Sequence, residues 1–356
     1  MIRLARPYTD MGEERAVLEV MASGQLAQGP RVAEFEQRFA AVSGTRHAIA
    51  VSSGTSALYL ALLANGIGPG DEVITVSFSF VATANSILAV GATPAFVDID
   101  EDTFNMDPGQ LEARITDRTR AIMPVHLYGN PVDMNSVSQI AKEHGLVVIE
   151  DCAQAIGASV EERGVGTFGT GCFSLYATKN VCTGEGGVVT TDDPDVAERC
   201  RVLRHHGLRA RDTCEVLSLN HRMTDLEAAV GLVQMGKLSH ITEKRQENAA
   251  ALSLRIRNPR VVLPTVRPCT RHVFHQYTVR IPEERDRAAE RLRSAGVDVG
   301  VFYSIPIHLQ PLYRRLGLSP GLPKTEEAAG QVLSLPVHPW LTEQDLDKIA
   351  EEMNRI

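Results

Sequence analysis

Residues 121–151 read AIMPVHLYGNPVDMNSVSQIAKEHGLVVIED. The apolar run Ala121 to Val125 has strand character, residues 133–144 repeat apolar positions at a helical period, and Leu146 to Ile149 is a second apolar run. Strand, helix and strand within one short stretch is the unit of a right-handed crossover between parallel strands. The second strand ends in Glu150 and Asp151. In an open parallel sheet ligands bind beyond that end of the strands, so a carboxylate there faces a site or caps the next turn.

The same alternation extends toward the N-terminus. Val32, Phe35, Phe39 and Val42 recur at helical steps, and strand-type runs follow at His47 to Val51, Glu72 to Val76 and Ala95 to Ile99, with helical stretches at 55–65, 80–90 and 108–114. Beyond residue 170 the texture changes. Two close strands, Cys172 to Tyr176 and Gly187 to Thr191, are joined by a glycine-rich turn, and residues 194–204 and 223–257 then read as long helices. Strands at 259–263, 273–281 and 297–303 with helices at 285–295 and 342–354 make a smaller unit. The expectation is an α/β protein with a mostly parallel central sheet flanked by helices and a smaller C-terminal α+β domain. The boundary is placed near 245, giving domains 1–245 and 246–356, with the N-terminal segment free to pack on the second.

Composition narrows the function. The chain has 356 residues, 44% of them hydrophobic and 22% charged, which suits a globular protein large enough for two domains. Its net charge is −8 and no basic stripe stands out, so nucleic acid and anionic membranes are poor partners. No apolar stretch approaches the roughly 20 residues of a membrane helix, and the acidic start MIRLARPYTDMGEE lacks a signal-peptide core, so a cytoplasmic location is expected. Six cysteines without a CxxC pair, and eleven histidines without an HExxH, point to reduced thiols and to no metal.

Four local patterns carry chemistry. Gly164-Val165-Gly166-Thr167-Phe168-Gly169 spells GxGxxG, but it leads into a strand rather than from a strand into a helix, so it reads as a loop and not as a nicotinamide fingerprint. Ser52-Ser53-Gly54-Thr55-Ser56 ends a strand and starts a helix, where free N–H groups hold a phosphate or Ser53 merely caps. Asp151 and Gln154 follow the strand 146–149. Lys179 leaves the strand Phe173 to Tyr176 into the turn Gly184-Glu185-Gly186-Gly187, where burial would lower its pKa toward a nucleophilic amine. Cradle, strand-end carboxylate and turn lysine, in that order, are the parts that hold pyridoxal phosphate: the aldehyde needs an amine, the ring nitrogen a carboxylate and the phosphate an anion site.

The strings SSGTSAL, GPGDEVI, EDCAQAIGA, FSLYATKN, GEGG, NHRMTDLEAAVGL and IPIHLQPLY, running in order from about Ser23 to the C-terminus, resemble the DegT/DnrJ-type sugar aminotransferases. Those are pyridoxal-phosphate enzymes of the aspartate aminotransferase fold, fold type I. The resemblance implies that Lys179 forms the Schiff base with the cofactor and then shuttles the proton, that Asp151 pairs with the ring nitrogen, and that Gln154 bonds the phenolic oxygen. Phe80 matches the aromatic that stacks on the ring, and Gly54, Thr55 and Ser174 match the phosphate cradle. Asn220 is similar to a residue that reaches the phosphate from a neighbouring subunit, which implies a homodimer with shared sites. Glu185 either shapes the turn or meets substrate, and its flanking glycines favour the turn. Arg222 binds a donor carboxylate or staples the interface, His308 packs or contacts substrate, and His126 belongs to a polar loop or lines the pocket.

A family subgroup with histidine at the lysine position dehydrates sugars; Lys179 therefore implies transamination. The implied reaction moves an amino group, with L-glutamate as expected donor, to a keto carbon of a nucleotide-linked deoxysugar through pyridoxamine phosphate. A keto-cyclitol acceptor of antibiotic assembly and a non-catalytic pyridoxal-phosphate-binding regulator are the alternatives.

Overall fold

A computed structural model describes residues 1–356. Seven strands form the central sheet: β1 His47–Val51, β2 Glu72–Val76, β3 Thr93–Val97, β4 Thr119–Met123, β5 Val147–Asp151, β6 Thr170–Ser174 and β7 Gly187–Thr191. Their order across the sheet is β1-β7-β6-β5-β4-β2-β3. β7 runs antiparallel to β1 and β6, and the other pairs are parallel.

Alternate side chains of a strand point to opposite faces, and here both faces are buried. Val73, Met123, Ile149 and Val189 enter one core, against the helices Gly54–Ala64 and Pro194–Arg204. Their neighbours Ile74, Ile122 and Val148 enter another core, which takes in Met134 and Val137 of the helix Met134–Glu143. Phe173 and Val188 meet Phe35 and Phe39 of the helix Pro30–Ser43 and Met235 of the helix Asp225–Arg255. Burial on both faces is why these strands read as continuous apolar runs.

Two buried carboxylates tie distant segments. Asp225 accepts the N–H groups of Gly29 at 2.9 Å, Val32 at 3.0 Å and Arg31 at 3.2 Å, so the long helix caps the helix Pro30–Ser43, which has no cap of its own. Glu150 accepts Gly166 N–H and Phe168 N–H, each at 2.8 Å, and lies 3.1 Å from His126 Nε2. His126 Nδ1 accepts Val132 N–H at 3.1 Å, which leaves Nε2 as the protonated nitrogen that donates to Glu150. The GxGxxG segment is therefore a loop wrapped on a carboxylate, as its context in the sequence predicts.

A further core gathers Ile2, Ala249, Leu252, Tyr277, Val279, Leu292, Leu333 and Met353. We propose it as the heart of the smaller unit. Ile2 bridges Val297, and the long helix Asp225–Arg255 runs unbroken through residue 245. The strands expected there are shorter than the sequence suggests. Tyr277–Arg280 pairs with Val332–Leu335, a strand the sequence reading lacks, whereas 259–263 contributes only the Val262–Arg280 bridge and 297–303 only bridges at Val297 and Gly300. The helix Met11–Ser23 is a further element the sequence reading lacks, although Asp10 and Glu13 form a capping box at its start. No helix is long and apolar enough to cross a membrane, and all six cysteines are free.

Replacing Glu150 with Ala leaves the Gly166 and Phe168 N–H groups and the His126 ring buried without an acceptor. A loss of about 3–5 kcal/mol in unfolding free energy is expected in urea titration.

Candidate active site

The C-terminal ends of β1, β2, β5 and β6 lie along one edge of the sheet, and a cavity of about 560 Å³ opens there. β1 delivers Ser53, Gly54 and Thr55, β2 leads to Ser79 and Phe80, β5 ends in Asp151 with Gln154 just beyond, and β6 ends in Ser174 and leads to Lys179. Of the eight residues that the resemblance assigns to the cofactor, seven share one cavity: Gly54, Thr55, Phe80, Asp151, Gln154, Ser174 and Lys179.

The anion cradle has a local cause. Ser53 caps the helix Gly54–Ala64 by accepting Ser56 N–H at 3.0 Å. The N–H groups of Gly54 and Thr55 precede any helical acceptor and are left for a ligand. A Cβ on residue 54 would lie 2.7 Å from Ser174 Cβ, so only glycine lets the helix start converge with that hydroxyl.

Asp151 is buried at the floor. Thr83 Oγ1 donates to its Oδ2 at 2.8 Å and Ala153 N–H to its Oδ1 at 3.1 Å, while Ser79 Oγ lies 2.8 Å from Thr83 Oγ1. Burial raises the pKa of Asp151 above the usual carboxylate range, and the two hydrogen bonds and the charge of Lys179 oppose that rise. Lys179 is only partly covered because it opens onto the cavity. Its amine is nevertheless surrounded by protein, and desolvation, opposed by Asp151, brings its pKa down to about 8. The turn that presents it is held by backbone bonds from Ala177 N–H to Gly184 at 2.9 Å and from Thr183 N–H to Leu175 at 2.8 Å.

Gln154 is oriented from both sides. Its Oε1 accepts Tyr128 N–H at 2.7 Å, and its Nε2 donates to the Tyr303 hydroxyl at 3.2 Å. Phe80, 56% exposed, faces the cavity with its ring centroid 6.2 Å from that of Tyr303. An aromatic so poorly covered at a cavity wall is suited to a planar ligand.

The other candidates, Glu185 apart, fall elsewhere. Asn220 is exposed and outside the cavity, its Oδ1 accepting Arg222 N–H at 3.2 Å. Arg222 contacts His205 instead of the cavity. His308 is fully buried between Ser77 and Glu326, which makes it a packing residue. His126 is spent on Glu150, and Glu185 stands at the cavity wall. The sequence reading missed Thr83, Tyr303, Arg245 and His275, all of which line the cavity. Thr83 had a signal, since it sits one helical turn beyond Phe80 in the string SFSFVATANS. The other three come from regions with no local motif.

Pyridoxal phosphate fits this donor set. The cradle of Gly54, Thr55 and Ser174 would take its phosphate, Asp151 its ring nitrogen, Phe80 its face, Gln154 its phenolic oxygen and Lys179 its aldehyde carbon.

Comparison with known proteins agrees. Residues 7–354 match the DegT/DnrJ/EryC1/StrS aminotransferase family. A GDP-perosamine synthase of Caulobacter vibrioides is 40% identical over 371 residues, covering 100% of this chain and 98% of its own. A pleiotropic regulatory protein of Geobacillus stearothermophilus is 43% identical over 361 residues, covering 99% and 97%. The crystal structure of NtdA from Bacillus subtilis with bound cofactor PMP superposes with a TM-score of 0.90 at 34% identity, covering 96% of this chain and 80% of that one.

An amine with a pKa of about 8 is largely free base at pH 9, where an ordinary lysine is protonated. Trinitrobenzenesulfonate labelling of cofactor-free protein, mapped by mass spectrometry, is expected to modify Lys179 with a midpoint near pH 8. A midpoint near pH 10 would contradict the lowered value.

Proposed function

The chain belongs to the DegT/DnrJ/EryC1/StrS aminotransferase family, and from that premise we propose that it moves the amino group of L-glutamate to a keto carbon of a nucleotide-linked deoxysugar. It is a pyridoxal-phosphate-dependent sugar aminotransferase. The observation that carries the reading is the convergence of Lys179, Asp151 and the Gly54–Ser174 cradle on one cavity.

When bound, the cofactor supplies an electron sink and a carbonyl that takes up and releases the amino group. Asp151, held in place by Thr83 and Ala153, would keep the ring nitrogen protonated. Lys179 has the pKa to accept a proton at its Nζ from the donor's α-carbon and to return it, as general acid–base catalysis requires near neutral pH. The half-apolar walls around Phe80, Phe302 and Tyr303 limit water at the reacting carbon.

The acceptor assignment is supported by the GDP-sugar enzyme at 40% identity. A relative carries a regulatory name, yet here Lys179 and Asp151 are both present and assembled, which favours turnover over a purely regulatory role. We further propose a cytoplasmic homodimer. The segment around Asn220 exposes Leu217 at 91%, Leu219 at 61% and Val216 at 44%, an apolar patch that a second copy would cover while bringing Asn220 to the neighbouring cradle.

Two outcomes are expected. The visible band of cofactor-loaded protein disappears when L-glutamate is added and returns with a nucleotide ketosugar, and Lys179→Ala slows that change by about 1000-fold or more. Return only with a keto-cyclitol would replace the sugar acceptor. In sedimentation, Leu217→Asp with Leu219→Asp shifts the protein from dimer to monomer and weakens cofactor retention; an unchanged dimer would refute this patch as the interface.

A further inference from the structure

Ile2 to Tyr8 form a strap along the segments 296–298 and 338–340. Ile2 N–H donates to the Gly296 carbonyl at 2.8 Å and Asp298 N–H to the Ile2 carbonyl at 2.9 Å, while Leu4 N–H reaches Asp298 Oδ2 at 3.3 Å. His338 Nε2 donates to the Arg3 carbonyl at 3.0 Å, Trp340 Nε1 to the Pro7 carbonyl at 2.9 Å and Gln234 Nε2 to the Tyr8 carbonyl at 2.7 Å. The Arg6 guanidinium lies over the Trp340 ring, 4.5 Å from its centroid. A chain terminus frays unless it is tied down, and this one is tied along its length.

Between those ties the strap reaches the cavity. Leu4, half-buried, and Ala5, exposed, line it beside the half-buried Phe302, and the buried Leu335 and Val337 complete this wall. Gly300 makes room for it, because a Cβ there would lie 2.7 Å from Leu4 Cδ2 and would also strike the Phe302 ring. None of these five side chains has a hydrogen-bonding group, whereas the sheet edge brings a carboxylate, an amide, hydroxyls and a lysine. The residues that would hold the cofactor all come from that sheet edge, so the strap wall is left to meet substrate.

We infer that Leu4 and Ala5 determine acceptor specificity: with Phe302 they take the methyl group of a 6-deoxy ketosugar. The inference rests on the sugar-aminotransferase reading above and deepens it by naming the carbon that is recognised. In a hexopyranose C6 is the one carbon outside the ring, so it projects furthest toward a wall. A methyl group gains by leaving water for this apolar surface, whereas a hydroxymethyl group would bury a hydroxyl among side chains that cannot bond it. L-glutamate, the expected donor, is charged at both ends and gains nothing from the same wall. The strap therefore acts on one half-reaction and not on the other.

The test uses cofactor-loaded protein whose visible band L-glutamate has removed, and follows return of the band with pairs of nucleoside-diphosphate ketohexoses that differ only in carrying a methyl or a hydroxymethyl group on C5. The wild-type protein is expected to prefer the methyl compound by about 10- to 100-fold in kcat/KM. Leu4→Ser, which sets a hydroxyl in the wall, cuts that preference to about threefold or less, and Ala5→Phe, which narrows the cavity from an exposed position, raises KM for both acceptors by about tenfold. In both variants the loss of the band with L-glutamate changes by less than about threefold. Trp340 is the chain's one tryptophan, so an unchanged emission maximum shows that the strap is still seated. Should Leu4→Ser unseat it, Ala5→Phe decides. The inference is overturned if the wild-type protein does not distinguish the pair, if both variants keep its preference and KM, or if the donor half-reaction slows as much as the acceptor half-reaction. It is also overturned if Ala5→Phe dissociates the dimer in sedimentation, which would place Ala5 between subunits. A wild-type band that no nucleotide ketosugar restores overturns the sugar reading and this inference with it, whereas normal wild-type turnover with two silent variants overturns the inference alone.

Discussion

Strand alternation at the end of β5 separates two adjacent carboxylates. Glu150 turns to one face of the sheet and Asp151 stays at the edge that opens on the cavity. Glu150 collects the N–H groups of the 164–169 loop and the ring of His126, which fixes the loops on both sides of β5. Asp151 can then sit buried against Thr83 and opposite Lys179 without its strand end moving. One residue builds the frame and the next uses it. The pair explains why a desolvated acid and a desolvated amine coexist in this cavity: the frame holds them close enough that each offsets part of the other's burial.

What could be read in the sequence was whatever is encoded within a few residues. Gly54, Thr55, Asp151 and Lys179 each stand at or just beyond a strand end, which is a local pattern, whereas Phe80, Gln154 and Ser174 were assigned through the family resemblance. The parallel sheet was legible for the same reason, because each crossover is a contiguous strand, helix and strand. The smaller unit was harder. Tyr277–Arg280 and Val332–Leu335 pair across some fifty residues, and neither segment announces its partner. Arg245 was invisible for a related cause: on the helix Asp225–Arg255 it is one charged residue among many, and only the packing of Phe274 and His275 against it makes it a buried cation. Asn220 is the converse. Sequence resemblance points to it, yet within one chain it faces solvent.

The cavity distributes charge by origin. Of its two acids Asp151 ends β5 and Glu185 stands in the turn before β7, its lysine comes from the turn after β6, and its guanidinium and neutral imidazole come from the long helix and from residue 275.

The unbroken helix Asp225–Arg255 has a consequence for how such proteins can be recombined. Its first turn caps the helix Pro30–Ser43 through Asp225, its middle supplies Arg245 to the cavity, and its last turns place Ala249 and Leu252 in the C-terminal core. A crossover between two relatives near residue 245 would splice a helix whose two ends belong to different cores. A junction in the stretch that follows Arg255 would instead transfer the helix whole and exchange only the remainder. Chimeras cut there should take Arg245 from one parent and the cavity-lining residues His275, Phe302 and Tyr303 from the other.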